Sequence, residues 1–148
     1  VGAELIMGQL RKIGIEANMK VIDRAPYSTM MRKGEYHISC GSYDERFDWD
    51  DAFYMFFHSS EIGKNNWSRY SNKEMDALLE KGRTTWKTED RKSIYKQVIE
   101  ILKEDLPVWF FAKSCVGYGF RDNLKGFRPG FATRYSFYGG GVKYWSLG

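Results

Sequence analysis

Apolar residues fall at helical spacing in the first dozen positions. Ala3, Ile6, Leu10 and Ile13 share one face, with Glu4, Gln9 and Lys12 on the others, and Gly14 is placed to close a helix. Residues 16–23 (EANMKVID) alternate in the manner of a strand, and Tyr36 to Ser39 form a second short one. Between them, Pro26 suits the first turn of a short helix through about Arg32, which Lys33-Gly34 ends. The aromatic run AFYMFFHS, residues 52–59, reads as a helix covering a core. Ser71 and Glu74 have capping-box spacing ahead of Met75, Leu78 and Leu79, and that helix is expected to end near Gly82. A further helix starts near Thr88 and carries Ile94, Val98, Ile101 and Leu102 as its stripe. Leu106-Pro107 breaks it, and Val108 to Phe111 read as a buried strand. This βαβ-like rhythm predicts an α/β fold with a mixed sheet flanked by helices. From Gly117 onward glycines, aromatics and basic residues replace periodicity, so the tail is expected to dock as extended strands and loops.

At 148 residues the chain is long enough for one domain with a real core. No stretch approaches the roughly 18 apolar residues of a membrane span. No basic segment followed by an apolar one opens the sequence in signal-peptide fashion. Val1 falls directly into a helix, the expectation for a piece cut from a longer protein. The net charge of +4 is spread without a basic block, which argues against nucleic-acid binding. Aromatic residues make up 17% of the chain, enough to supply stacking surfaces as well as a core.

Catalytic signatures are lacking: there is no GxSxG, no nucleotide-binding glycine loop and no Cys/His pair at suggestive spacing. Enzyme readings therefore find little support in the residues, and no catalytic residue, metal or cofactor is expected. Cys40 and Cys115 read as buried free thiols, with a disulfide as the alternative in an oxidising compartment. His37 and His58 sit in different elements without metal-ligand spacing and read as packing residues.

Several blocks in fixed order carry a family resemblance. They are QLRKIGIEANMKVID, the turn Arg32-Lys33-Gly34-Glu35-Tyr36, the strand ending in Cys40-Gly41, FFHSSEIGKNNWSRYSNKEMDALLEKGR, EDRKSIYKQVIEILKEDLPVWFF and the late turn Leu124-Lys125-Gly126-Phe127. Together they resemble the C-terminal portion of the peptide/nickel/oligopeptide class of ABC-transporter substrate-binding proteins (bacterial extracellular solute-binding protein family 5). The resemblance implies a periplasmic-binding-protein type II fold whose two lobes close on a ligand. Residues 1–111 would belong to the second lobe, and 112–148 would return toward the first. It also implies an extracytoplasmic location, free or membrane-anchored, an ABC permease as partner, and a peptide or similar small solute as ligand.

In that class the turn after Gly41 faces the cleft, with a Trp directly after the glycine and an Asp three residues further on that pairs with the ligand's amino group. Here Ser42 stands in the Trp position and Glu45 in the Asp position, with Asp44 adjacent; Asp48-Trp49-Asp50 replaces Asp-Pro-Asp. The candidate ligand contacts are Ser42, Tyr43, Asp44, Glu45, Arg46, Trp49, Asn66 and Trp67. The residues themselves leave alternatives open. Five acids against Arg46 between positions 44 and 51 also describe a solvated, helix-capping loop. Asn66 and Trp67 also fit a structured loop. Tyr43, Trp49 and Trp67 beside carboxylates would equally suit an oligosaccharide. Paired carboxylates such as Glu45 and Asp48 are the one feature open to a glycoside-processing enzyme.

Overall fold

The computed structural model describes residues 2–41, 48–112, 121–126 and 146–147. The chain divides into two compact units, Val1–Ser42 and Tyr43–Gly148.

The first unit contains α1 (Gly2–Lys12) and α2 (Arg24–Lys33). Ala3, Ile6 and Leu10 are half-buried as their spacing predicts, whereas Ile13 lies beyond the last helical turn and is exposed. Both helices end at a glycine with left-handed backbone, Gly14 at φ +83° and Gly34 at φ +75°. That conformation lets the amides of Ile15 and Glu35 bond back to the carbonyls of Leu10 and Met30, filling acceptors the helix leaves open. Pro26 sits in the first turn of α2, where its missing N–H costs nothing.

The segments 16–23 and 36–39 are not strands here. A strand exists only through the ladder to its neighbour, and no described segment pairs with either. Val21 is 85% exposed and Ile38 64%, so alternation alone did not bury them. Cys40, expected to be buried, is instead a free and exposed cysteine; Cys115 lies outside the described residues.

The second unit is a helical layer of α3 (Trp49–Phe57), a single 3-10 turn (Ser59–Glu61), α4 (Lys73–Thr84) and α5 (Thr88–Asp105). α4 packs against both α3 and α5. Phe57, Met75, Leu79, Tyr95 and Val98 form its buried core, with Phe53, Leu78, Ile101, Leu102 and Val108 packed around them. The cap of α4 is Asn72 rather than Ser71. The Asn72 side-chain oxygen accepts from the amides of Glu74 (2.9 Å) and Met75 (3.2 Å), two of the four donors that a helix start leaves open.

α4 also continues through Gly82 to Thr84. Gly82 is there because α5 lies against it: a Cβ at this position would fall 3.0 Å from the Tyr95 ring carbon that bears the hydroxyl. Gly82→Ala should therefore destabilise the unit by about 1–3 kcal/mol despite the better helix propensity of alanine. A urea titration showing equal or greater stability would contradict this close approach.

Beyond α5, Leu106 takes a left-handed backbone (φ +43°) and the chain turns at Pro107. The expected buried strand at 108–111 is replaced by irregular chain. Val108 is half-buried against the core, but Trp109 and Phe110 are 66% and 65% exposed. The reason is again the lack of a ladder partner among the described residues. In the tail, β1 (Leu124–Lys125) pairs antiparallel with β2 (Ser146–Leu147), with Leu124 opposite Leu147.

Candidate functional site

The candidates Ser42, Tyr43, Asp44, Glu45 and Arg46 lie outside the described residues; Trp49, Asn66 and Trp67 lie within them. The chain enters α3 through an N-cap, Asp48, whose carboxylate accepts from the Asp50 amide at 2.8 Å. The same carboxylate takes both arms of the Arg91 guanidinium from α5, one of them at 3.0 Å. Arg91 also donates from Nε to the Gly82 carbonyl at 3.2 Å, tying the end of α4 into the same knot. Two residues on, Asp50 pairs with Arg83 Nε at 3.2 Å, and Arg83 lies over the Tyr54 ring at 3.9 Å. The acidic run at 48–50 is thus neutralised by cations more than 30 residues later in sequence, which no local pattern announced.

Arg91 holds the Asp48 carboxyl below its usual range, chiefly by hydrogen bonding, and the Asp50 amide adds to this. A depressed carboxylate stabilises the fold above its unfolded pKa of about 4 and loses that contribution as pH falls through the lower folded value. The Asp48 side chain is 51% exposed, so solvent screening limits the effect to under about 1 kcal/mol. Asp48→Asn should show its stability deficit near neutrality and lose it below about pH 4. Acid titrations of the two proteins that differ by a constant offset would overturn that account.

Trp49 opens α3 with its ring edge-to-face on Tyr95 at 5.5 Å, and half of it (49%) stays exposed. It therefore belongs both to the packing and to the surface. Tyr95 itself is buried. Burial first, and then the charge of Asp50, push its hydroxyl pKa up. The Tyr95 hydroxyl and Asp50 Oδ1 are buried without a hydrogen-bond partner.

Asn66 is a loop organiser. It is 1% exposed, and its amide nitrogen donates to the carbonyls of His58 (3.1 Å) and Tyr70 (2.8 Å). Its oxygen accepts from the Ser68 hydroxyl (3.0 Å) and the Tyr70 amide (3.1 Å). Both donors and both acceptor positions are filled, so a ligand contact would have to break one of these bonds. Trp67 is half-buried and donates from Nε1 to the Lys64 carbonyl at 3.1 Å. Trp49 thus meets α5, whereas Asn66 and Trp67 hold the 58–70 loop.

His58 is the buried polar residue at the head of that loop, while His37 is exposed. His58 Nδ1 accepts from the Ser60 amide at 3.1 Å, its ring stacks on Tyr54 at 4.2 Å, and Nε2 is 3.5 Å from Glu80 Oε1. Asp76 completes the joint by accepting from the Ser59 amide at 2.9 Å and from its hydroxyl. These contacts use His58 to join the end of α3 to α4. Among the described residues, no group of three or more His, Cys, Asp or Glu side chains could hold a metal, and no helix is long and apolar enough to cross a membrane.

No protein-family model matches the chain. The fold has a counterpart in a peptide-bound structure of the ABC transporter-associated periplasmic binding protein DppA from Helicobacter pylori. The TM-score is 0.66 at 27% identity over 72% of this chain and 22% of that one. The class is that of periplasmic binding proteins with the type II fold. Within it, the chain belongs to the peptide/nickel/oligopeptide family of ABC-transporter substrate-binding proteins. It is 32% identical over 117 residues to Heme-binding protein A of Haemophilus influenzae, covering 78% of this chain and 21% of that protein. It is 28% identical over 138 residues to a Dipeptide-binding protein of Pseudomonas aeruginosa, covering 93% and 26%. The chain therefore spans about a fifth to a quarter of the length of these relatives.

Proposed function

We propose that this chain forms part of one wall of the ligand cleft in an extracytoplasmic receptor that binds a peptide and delivers it to an ABC permease. The observation that carries this reading is the match over 93% of the chain to a dipeptide-binding protein. The likeness to a receptor structure bound to the peptide STSA supports it. Residues 1–111 would belong to the second lobe, and 112–148 would return toward the first. Ligand binding would stabilise a closed arrangement of the lobes through its higher affinity for that state.

In this reading Glu45, or Asp44 beside it, receives the peptide's amino group, and Trp49 offers its exposed face to the ligand. Ser42, Tyr43 and Arg46 complete the turn. A carboxylate in a cleft recovers its desolvation cost only from a cation that bonds to it. Binding without catalysis fits Asp48, whose carboxylate is engaged by Arg91 and so is poorly placed to serve as a general acid or base.

The test is native mass spectrometry of the complete receptor, followed by calorimetry with the peptides it carries. A ladder of peptide masses is expected, with affinity lowered about tenfold or more by Glu45→Gln or Asp44→Asn. A bound haem, or hexose-spaced masses, would replace the peptide with that ligand. If a peptide binds equally well to both variants, the amino anchor lies elsewhere.

A further inference from the structure

The turn between α4 and α5 carries a tryptophan that the fold does not use. Trp86 is 94% exposed, the most exposed of the large apolar side chains among the described residues. The other described tryptophans are engaged: Trp49 packs on Tyr95, Trp67 bonds to Lys64, and Trp109 lies 5.4 Å from the Phe111 ring. An indole left in water gives up the hydrophobic gain of burial, and such residues are over-represented at the energetic centres of protein interfaces.

The tip that presents it joins two closely packed helices and is positively charged. Gly82 lets α4 and α5 approach closely, and Arg91 bonds back to the Gly82 carbonyl, so the end of α4 is tied to α5 next to the turn. From Lys81 to Lys92 there are five basic and two acidic residues. Arg83, Arg91 and Lys92 are committed to Asp50, Asp48 and Glu89; Lys81, in the last turn of α4, and Lys87, next to Trp86 in sequence, are exposed. An exposed indole on a tip of net positive charge is complementary to an apolar pocket rimmed by carboxylates.

We propose that the α4–α5 tip is a docking knob for a protein partner, the membrane permease, with Trp86 entering an apolar pocket and Lys81 and Lys87 facing acidic groups around it. This rests on the receptor reading above. A protein pocket suits the tip better than a lipid surface, because one indole with two free cations is a small anchor for a bilayer, whose attraction grows with buried area and cation number.

The experiment uses the complete receptor and its permease reconstituted in nanodiscs, with empty nanodiscs of the same anionic lipid as control. Peptide binding to the receptor is measured first and separately, so loss of the receptor reading registers there and not in docking. Trp86→Ala, and separately Lys81→Glu with Lys87→Glu, should leave peptide affinity unchanged and weaken permease binding about tenfold or more. The charge reversals should lose most of their effect at high salt. Unchanged permease binding in both variants would overturn the proposal. So would equal receptor binding to empty nanodiscs that is lost on Trp86→Ala, which would make the tip a membrane contact. Protection of Trp86 from iodide quenching in the free receptor, judged against Trp86→Phe, would also overturn it by showing that the rest of the receptor covers the knob.

Discussion

Leu79→Ala should lower the unfolding free energy by about 2–5 kcal/mol. Leu79 is fully buried where α4 meets its neighbours, and it shares the core with Phe57, Met75, Tyr95 and Val98. Deleting its side chain removes apolar surface from the interior and leaves a cavity, because rigid helix ends on both sides limit collapse. The Asn72 cap holds one end of α4, and the Arg91 bond to the Gly82 carbonyl holds the other. Ile99→Ala is the matched control on α5. Ile99 is already 39% exposed, so the expected cost stays below about 1 kcal/mol. Urea titrations of the complete protein that give similar midpoints for both variants would mean that the α3–α4–α5 layer does not hold the core assigned to it.

Asn66→Ala is expected to cost about 2–4 kcal/mol, because it strands several polar groups at once. The His58 and Tyr70 carbonyls lose their donor, and the Tyr70 amide loses its acceptor. Asn66→Asp separates the two halves of this network. It keeps an acceptor for the Tyr70 amide and the Ser68 hydroxyl but turns an anionic oxygen toward two carbonyls, so it should be at least as damaging as alanine. Asn65→Ala removes only a bond to Glu61 at 3.3 Å and should change stability by less than about 1 kcal/mol. Thermal unfolding that ranks Asn65→Ala with Asn66→Ala would show that the loop does not depend on the Asn66 amide. Peptide affinity separates the roles further: a ligand contact at Asn66 would lower affinity beyond what the loss of stability explains.

The helices were legible because their signals are local. α5 shows its stripe of Ile94, Val98, Ile101 and Leu102 and its stop at Leu106-Pro107 in the order of residues alone, and the structure places it at Thr88–Asp105. α4 was visible for the same reason, although its true cap, Asn72, is one residue beyond the expected Ser71. Two competent capping residues stood side by side, and only the backbone at the helix start chose between them. The family was legible from whole blocks in order. The candidate turn was legible only through that resemblance, since Ser42 to Arg46 carry no chemistry that five surface residues would lack.

The sequence by itself determined where the chain turns helical, which helical faces are apolar, and which family it belongs to. Tertiary structure decided what depends on distant partners. Alternation at 16–23 and 36–39 and the apolar run at 108–111 have no ladder partner among the described residues, and a strand is completed by a neighbour's hydrogen bonds and not by its own pattern. Asp48 and Asp50 became structural ion-pair partners because α4 and α5 bring Arg83 and Arg91 to them across 33 and 43 positions of sequence. Asn66 was drawn inside because the carbonyls of His58 and Tyr70 converge on its amide. Trp86 was left outside because a close-packed helix pair joined by a tight turn leaves its tip in solvent.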